Sequence, residues 1–434
     1  MAEFKVLIVG AGLNGLLAGL VLQRAGINFH ILEKRNETDL NWGSSVCLWP
    51  QSVRLLDQLG LLQEAKELYF PIQKKCNLKR DGTVMSWSNM VENIGVYHGH
   101  PWMLFERGTL IKLLKRHIPE LPERLSLDKE VTSINSKSDE VVVECADNSS
   151  YTATMLIGAD GINGTARSFV KNSSALPTDR DVDKDFTTTF YGLYGHGGFL
   201  SSDLEYGVDY ETHSEGFSSQ LIVPSKERYF FLIYQKLDKP THSRQRITVE
   251  MEEELVRKHG KTYLAPGVTF QQIWENKTWK YSAPLEEGVA TKWFRDRVLL
   301  LGDSAHKMTP NIGFGVNTGW QSTVVLINIL RPYLAEHPDP TTKDLTNLYA
   351  EFHSARRAQV KNDQKLSALA TRLAVWDRLL WKFLDQYVLP LIDGDSLLAK
   401  HFTSRTVKKS VTLNWLSEPN FKEGPVRWDH KPVN

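Results

Sequence analysis

The first 33 residues place the strongest constraint on how this chain can fold. An apolar, β-branched run at residues 5–9 leads into the turn GAGLNG, which is followed by helical apolar spacing over residues 16–25. Strand, glycine turn and helix in this order predict the start of a Rossmann unit. A second apolar run at residues 27–32 predicts the next parallel strand, and it ends at Glu33. The whole pattern predicts a nucleotide-binding βαβ unit.

Each glycine of this turn has its own expected task. Gly10 permits the tight turn, Gly12 lets the backbone approach a pyrophosphate, and Gly15 lets helix and strand pack closely. Glu33 stands near the roughly 20-residue spacing at which a carboxylate binds the ribose. A glycine turn that binds nothing does not explain this carboxylate, so we predict that a dinucleotide binds here.

A second informative stretch is RVLLLGDSAHKMTPNIGFGVN, residues 297–317. Its apolar run predicts a buried strand that ends at Gly302 and Asp303. Ligands of open α/β sheets bind at such carboxyl ends. Beyond the strand, Pro310 and two glycines predict a loop that opens a helix, whose unpaired N–H groups suit an electron-rich partner. The two glycines are Gly313 and Gly315.

Length, charge and cysteine content narrow the class of protein. A chain of 434 residues can build two or three domains with proper cores. The 52 basic and 51 acidic residues nearly cancel, which argues against nucleic acid as the partner. The three cysteines form no metal-binding spacing and no complete disulfide set, so we expect no metal and a reducing, cytoplasmic location. They are Cys47, Cys76 and Cys145.

Membrane insertion is not expected from the sequence. No stretch reaches the roughly 18 uncharged apolar residues that a membrane span requires, and the N-terminus lacks the pattern of a cleaved leader. Residues 373–392 come nearest, but charged side chains interrupt them at helical spacing. Two interpretations of this aromatic helix remain open: packing on the body of the protein, or peripheral contact with a membrane.

The character of the sequence changes over residues 179–288. Aromatic, alternating segments predict a mostly antiparallel sheet there, which we interpret as the substrate domain. The period of two places one set of side chains on a common face, so that a tyrosine hydroxyl can point into a pocket; core packing is the alternative. These residues are Tyr206, Val208, Tyr210 and Thr212.

Three motifs in order, GAGLNG, GADG and GDSAH, resemble those of FAD-dependent aromatic hydroxylases and related group A monooxygenases. The third agrees with the family pattern GD-x-AH-x-x-x-P-x-x-G-x-G-x-N. The matching residues are Gly302, Asp303, Ala305, His306, Pro310, Gly313, Gly315 and Asn317. Two further strings, HPWMLFERGTL and HKMTPNIG, are similar to the fungal paxilline-type monooxygenases of secondary metabolism.

The resemblance implies an α/β fold. Its Rossmann-type FAD-binding domain is expected to be glutathione-reductase-like, as in p-hydroxybenzoate hydroxylase, with a mixed or antiparallel substrate sheet and C-terminal helices. The predicted parts are residues 1–177 for the FAD domain with inserted segments, 178–290 for the substrate sheet, 291–372 for the return to the FAD domain and 373–434 for the C-terminal helices.

The resemblance also assigns contacts to a bound FAD. Arg107, at the start of an amphipathic helix, is expected to reach the FAD, and Asp160 of GADG is expected near both FAD and the nicotinamide. Cys47 occupies a place where the family's backbone meets the flavin. Asp303 is expected near the ribityl or phosphate groups, and Pro310 with the amides after it near the isoalloxazine. Those amides run through Gly313, Gly315, Val316 and Asn317.

The implied activity is monooxygenation. NADPH or NADH reduces FAD, O2 adds to give a flavin C4a-hydroperoxide, and one oxygen passes to the substrate. The expected substrate is a bulky, largely apolar secondary metabolite, such as a prenylated indole or a meroterpenoid, which is epoxidised or hydroxylated. A single glycine fingerprint fits a permanently held FAD and a nicotinamide that visits. Candidates for proton donation or substrate hydrogen bonding are Tyr210, Tyr191 and His306.

Two other functions fit the same motifs. One is a flavin oxidase or a geranylgeranyl-reductase-like enzyme on the same fold. Reduced enzyme that reacts with oxygen without a spectrally distinct hydroperoxide would favour this function. The other is a flavin-free binding protein, which a colourless protein that takes up no FAD would support. The sequence leaves the oligomeric state open.

Overall fold

A six-stranded sheet forms from the predicted nucleotide-binding strands, within a computed structural model that describes residues 4–38, 45–171, 183–201 and 204–433. The two apolar runs at the N-terminus become neighbouring parallel strands, with Val9 beside Leu32. The edge pair is antiparallel, and the remaining pairs are parallel. In order across the sheet, the strands are Phe294–Arg295, Val298–Leu300, Met155–Gly158, Lys5–Val9, Asn28–Leu32 and Leu125–Ser126.

The strands of this sheet form the centre of the largest core because they are apolar on both faces. Leu7, Ile8 and Leu299 are completely buried. The first helix packs closely on the sheet at Gly15, where an added Cβ would lie only 1.9 Å from Gly10 O. The glycine turn therefore sets both the path of the chain and the distance between helix and sheet.

Helices cover this sheet and continue into the C-terminal half. Helix Pro50–Gln58 starts with proline, and Gly60, with a φ of +79°, follows its end. The predicted helix after the GD motif extends over Phe314–Glu336. The helices up to residue 374 are Leu13–Arg24, Pro50–Gln58, Leu62–Leu68, Met90–His98, Arg107–Arg116, Leu121–Arg124, Thr165–Lys171, Val249–His259, Phe270–Asn276, Phe314–Glu336 and Thr342–Ala374.

Two smaller antiparallel sheets flank the main one. One consists of Ser150–Ala153, Val141–Cys145 and Val131–Ser136, and the other of Ser45–Leu48 and Met103–Glu106. The extended stretch of residues 150–158 is divided at Thr154, whose N–H donates to Lys5 O at 2.9 Å. Its first half pairs within the small sheet and its second half within the six-stranded sheet.

The predicted substrate region forms an eight-stranded sheet. Among the described strands, Val208–Ser214 and Lys74–Lys79 are its one parallel pair. Across the sheet, the strands are His306–Lys307, Lys277–Val289, Phe186–Gly197, Arg228–Thr241, Phe217–Ser225, Val208–Ser214, Lys74–Lys79 and Val84–Ser88. The sheet thus takes strands from three of the four predicted parts of the chain, and the exact division into domains stays a prediction.

The two faces of the eight-stranded sheet meet different partners. One face packs on the helices of residues 249–276 in an apolar cluster that includes Tyr210 and Leu255. The other face packs towards the C-terminal segment in a cluster that includes Ile222, Leu232 and Ala399. Because successive residues of a strand alternate between faces, the phase of the alternation decides which side chains reach a site on one face.

The C-terminal segment is helical but irregular. Its turns are Leu379–Phe383, a π-helix at Leu384–Val388, a 3-10 turn at Leu389–Ile392, Gly394–Leu398, a second π-helix at Ala399–Thr403, and Ser404–Val407. The tail beyond them runs back across helix Pro50–Gln58, where Gln58 Nε2 donates to Leu413 O and Leu416 O at 2.9 Å. Among the helices that the structure describes, none combines the length and apolar character needed to cross a membrane.

Candidate active site

A cavity of about 1120 Å³ lies where the carboxyl ends of the six-stranded sheet face the eight-stranded sheet. Residues at or just beyond the ends of four strands of the six-stranded sheet contribute to its wall: Gly10, Glu33, Ala159 and Asp303. The facing wall comes from the larger sheet and the C-terminal segment, for example Tyr194, Leu232 and Leu398. The cavity thus occupies the position at which open α/β sheets bind ligands.

The glycine turn presents backbone at one end of this cavity. Gly10 has a φ of +105°, and a Cβ there would lie 2.6 Å from Ala159 O. Nothing lies within 4 Å of the place that a Cβ on Gly12 would take, so the backbone there faces open cavity. Glu33 Oε2 accepts a hydrogen bond from Ala11 N at 2.8 Å, which fixes the carboxylate beside the turn.

Asp303 and Arg107 face the cavity from different elements. Both side chains line the cavity and are exposed. Desolvation by the surrounding protein raises the pKa of Asp303 and lowers the pKa of Arg107, while their mutual attraction opposes both shifts. Lys307, which pairs with Glu286, also lines the cavity and favours the ionised form of Asp303. The result is a carboxylate between two cations, a set of groups suited to polar parts of a ligand.

Asp160 joins two of the motif loops. Its carboxylate accepts hydrogen bonds from Ala166 N at 3.0 Å and from Ser304 Oγ at 3.2 Å. Ser304 Oγ also accepts a hydrogen bond from Gly161 N at 2.9 Å. Burial raises the pKa of Asp160 to about 6. Hydrogen bonds therefore connect the motifs GADG and GDSAH at the cavity wall.

The loop after the GD motif is held in place by the strand Ser45–Leu48 and the residue after it. Gly313 has a φ of +65°, and a Cβ there would lie 1.9 Å from Cys47 Sγ. The buried Asn317 donates from Nδ2 to Cys47 O at 2.9 Å and to Gly313 O at 2.7 Å. Trp49 N donates to Asn317 Oδ1 at 2.9 Å. These contacts fix the backbone that opens the following helix.

The residues predicted to contact the cofactor fall into two groups. Those that line the cavity are Gly10, Gly12, Glu33, Cys47, Arg107, Asp160, Asp303, Pro310, Gly313, Gly315 and Val316. Gly15, Gly302 and Asn317 do not line it but pack beside it, and a cofactor contact by them stays a prediction. A Cβ on Gly302, for example, would lie 2.1 Å from Asn14 Nδ2.

The three catalytic candidates do not line the cavity. Tyr210 lies on the opposite face of its strand, where its hydroxyl donates to Glu205 O at 3.1 Å, and Tyr191 packs in the same apolar cluster. The buried His306 lies 3.4 Å from Ser322 Oγ through Nε2, and burial lowers its pKa to about 3. None of the three side chains therefore faces the cavity, and a catalytic or substrate-binding role for them stays a prediction.

The phase of the strand decides where the tyrosines lie relative to the cavity. Tyr206 precedes the strand Val208–Ser214, and Tyr210 is on the face that packs against helices. The alternate residues of this strand, Asp209, Glu211 and His213, line the cavity. Sequence reasoning missed these three, although charged residues at every second position of an aromatic strand were a usable signal, since buried charges require partners.

The cross-strand register extends the cavity face across the sheet. Glu211 lies beside Gln220, Gln220 beside Leu232, Leu232 beside Tyr194, and Tyr194 beside Tyr281. All five side chains line the cavity. This row crosses five strands, and only the strand order, which the sequence did not predict, brings its members together.

Proteins of known class are similar to this chain over nearly its whole length. The family described as FAD binding domain matches residues 3–345. The chain belongs to this FAD-binding family. FAD-dependent monooxygenase srdH from Neurospora crassa is 30% identical over 446 residues, which cover 99% of this chain and 99% of that protein. FAD-dependent monooxygenase paxM from Penicillium paxilli is 28% identical over 444 residues, which cover 98% of this chain and 89% of that protein.

A solved structure shares the fold. A variant of HpxO from Klebsiella pneumoniae, complexed with FAD, has a TM-score of 0.75 and 19% identity over 93% of this chain and 98% of HpxO. The predicted fold class is confirmed, and so are FAD as cofactor and FAD-dependent monooxygenase as the class of enzyme. The predicted likeness to fungal paxilline-type enzymes is confirmed as well.

The residues at the cavity fit an FAD. Open backbone at Gly12 and Gly315 leaves room for close approach, since nothing lies within 4 Å of a Cβ at either position. The Glu33 carboxylate stands where a ribose is bound in this fold. Asn14 lines the cavity too, and its buried Oδ1 has no hydrogen-bond partner among the described residues. These groups offer a dinucleotide the contacts that it needs.

Proposed function

We propose that this FAD-dependent monooxygenase epoxidises or hydroxylates a bulky, largely apolar small molecule, such as a prenylated indole or a meroterpenoid. The apolar part of the cavity carries the proposal. Helix Thr342–Ala374 and the C-terminal segment build this part of the wall. Its lining side chains include Leu366, Leu369, Leu373, Trp381, Leu384 and Leu398. Such a wall binds an apolar body by removing its surface from water.

The chain's own residues have the task of binding and positioning. FAD, when bound and reduced, supplies the activation of O2. Glu33 and the open backbone at Gly12 would hold the nucleotide part, and Asp303 with Arg107 would hold polar groups of the cofactor. The C-terminal segment covers the apolar part of the cavity, which limits the access of water to the reacting groups.

NADPH or NADH is the proposed reductant. The sequence holds a single glycine fingerprint, and FAD accounts for it. The nicotinamide therefore has no Rossmann unit of its own, which supports a transient visit to the cofactor rather than permanent binding.

Oxygen transfer by the purified, FAD-loaded protein tests this function. The protein receives NADPH or NADH, isotopically labelled O2 and a panel of prenylated indoles and polyketide-terpenoids, and mass spectrometry identifies the products. We expect a product that carries one labelled oxygen atom, and nicotinamide oxidation that accelerates when the substrate is present. Peroxide as the sole product with every compound contradicts monooxygenation and favours the oxidase alternative.

We also propose that the C-terminal segment touches a membrane surface. Lys382 and Lys400 suit anionic headgroups there, and Trp381, Leu384 and Phe402 line the cavity, so a membrane-dissolved substrate has a short route to it. Exposed large apolar side chains are concentrated in this segment: Leu379, Leu380, Phe383, Tyr387, Leu391, Ile392, Leu397 and Phe402.

Replacing Leu379 and Leu391 with aspartate is expected to weaken binding to vesicles of phosphatidylcholine and phosphatidylserine. Both leucines are 84% exposed, and burying each one contributes roughly 1.5–3 kcal/mol, so the double variant loses at least about a hundredfold in partitioning. Vesicle flotation measures the bound fraction. Val249→Asp, on a separate helix and 58% exposed in the wild type, is the control and retains binding. Flotation that is equal in both variants, or absent in the wild type, contradicts the proposal.

A further inference from the structure

A group of charged side chains lies on the cavity wall, and neither the family motifs nor the oxygen chemistry assigns it a task. We call it the wall cluster. Its members all line the cavity: Lys75, Asp209, Glu211, His213, Asp385 and Asp395. They come from strands Lys74–Lys79 and Val208–Ser214 and from the C-terminal segment. Three distant parts of the chain therefore place charge beside a largely apolar space.

Both cations of the wall cluster are held between carboxylates. Lys75 Nζ lies 2.8 Å from Glu211 Oε2 and 3.1 Å from Asp395 Oδ1. His213 Nδ1 lies 2.7 Å from Asp385 Oδ2, and its Nε2 lies 3.1 Å from Glu211 Oε2. Since both ring nitrogens face carboxylates, the imidazole is protonated: burial opposes the charge, but Asp385 and Glu211 raise the pKa of His213 to about 10.

Asp209 is the carboxyl of the wall cluster that takes no part in these ion pairs. Two cations stand against the three carboxylates of Glu211, Asp385 and Asp395, so the cluster is already negative before Asp209 is counted. Asp209 is only 7% exposed, and its buried Oδ1 has no hydrogen-bond partner among the described residues. A buried carboxyl oxygen without a donor carries a desolvation cost that a ligand can remove.

We propose that Asp209 binds a nitrogen-borne hydrogen-bond donor of the substrate, an N–H group or, most strongly, a protonated amine. The proposal rests on the proposed function in that it places a small apolar molecule in this cavity. The negative surroundings favour a donor or a cation and disfavour a carbonyl or carboxylate at the same place. Asp209 would thus select and orient substrates by a polar group on an otherwise apolar body.

The protonation state of Asp209 makes this selection depend on pH. Burial, followed by the charges of Glu211 and Asp395, raises the pKa of Asp209 to about 7, while Lys75 and His213 oppose the shift. Cys47 and Tyr234 also lie near it, and burial keeps both neutral by raising their pKa values. A protonated amine binds the ionised carboxylate, so its affinity is reduced below pH 7 and increases as the pH rises through that value.

Three probes with the same apolar body test the proposal: farnesylamine, farnesol and farnesyl methyl ether. Their affinities for the FAD-loaded enzyme are measured by calorimetry without reductant. We expect the amine to bind at least about tenfold more tightly than the ether, as for a hydrogen bond to a charged group. Asp209→Asn should reduce this ratio to near one. Tyr210→Phe, the neighbouring residue on the opposite face, should leave it unchanged.

A second measurement uses the wild type alone, so it does not depend on how a variant folds. Between about pH 6 and about pH 8 the amine stays protonated, and its affinity should rise several-fold while that of the ether stays constant. Equal binding of amine and ether, a preference that survives in Asp209→Asn, or absence of binding by all three overturns the proposal. Because no turnover is required, failure of oxygenation leaves this result intact and identifies the proposed function as the part that failed.

Discussion

Asp303→Ala is expected to lower the affinity for FAD by roughly ten- to a hundredfold without unfolding the protein. The Asp303 carboxylate is exposed to the cavity at the end of a strand of the six-stranded sheet, with Arg107 and Lys307 as its charged neighbours. A hydrogen bond to a charged group contributes about 1.5–3 kcal/mol, which corresponds to that range of affinity. The strand before it is buried by apolar packing, so the substitution leaves the core intact.

Absorbance after gel filtration measures retained FAD, and fluorescence titration of the stripped protein measures its affinity. Asp303→Asn keeps a hydrogen-bonding group and should bind FAD with intermediate affinity. Tyr210→Phe is the matched control, because its hydroxyl contacts only Glu205 O within the described structure and lies outside the cavity. Equal FAD content in Asp303→Ala and Tyr210→Phe would falsify the assignment of Asp303 to the cofactor.

The nucleotide half of the fold was predictable because its signals are local. The turn after the first strand needs glycine at Gly10, where φ is positive, and at Gly15, where the helix touches the turn. Both glycines lie within a few residues of the end of the strand Lys5–Val9. The same is true of Gly302 and Asp303, which directly follow an apolar run. Short-range constraints of this kind leave a readable pattern in the sequence.

The substrate half was predicted less completely because its arrangement depends on distant segments. The alternation around Tyr210 was recognised, but which face meets the cavity depends on helices some 40 residues later in the chain. Lys75 reaches the cavity only because its strand pairs in parallel with Val208–Ser214. Asp385 and Asp395 arrive from an irregular helical segment that contains π-turns. No local sequence pattern predicts such contacts. A buried charge without a partner nearby in the sequence does indicate that a distant segment supplies the partner.

A buried ion pair holds the C-terminal tail on helix Pro50–Gln58. Arg54 donates from Nε and Nη2 to the Glu418 carboxylate, each at 2.8 Å, and from Nη1 to His430 O at 3.1 Å. The side chains of Arg54 and Glu418 are 1% and 0% exposed. The guanidinium also lies 4.4 Å from the centre of the Trp428 ring. This pair anchors the chain that follows the C-terminal segment lining the cavity.

Glu418→Leu is expected to lower the free energy of unfolding by about 3–5 kcal/mol, because it leaves the Arg54 charge buried without its carboxylate. Arg54→Met should lower the free energy of unfolding by a similar amount, because it leaves the Glu418 carboxylate buried without its cation. The double variant should cost much less than the sum, since neither charge then remains unpaired. Urea denaturation of the FAD-loaded protein measures the free energy of unfolding of all three variants.

Lys408→Ala is the control: it removes the exposed pair with Asp429 and should change the free energy of unfolding by at most about 1 kcal/mol. Strictly additive effects of the two buried substitutions would show that the tail is held by packing rather than by the ion pair.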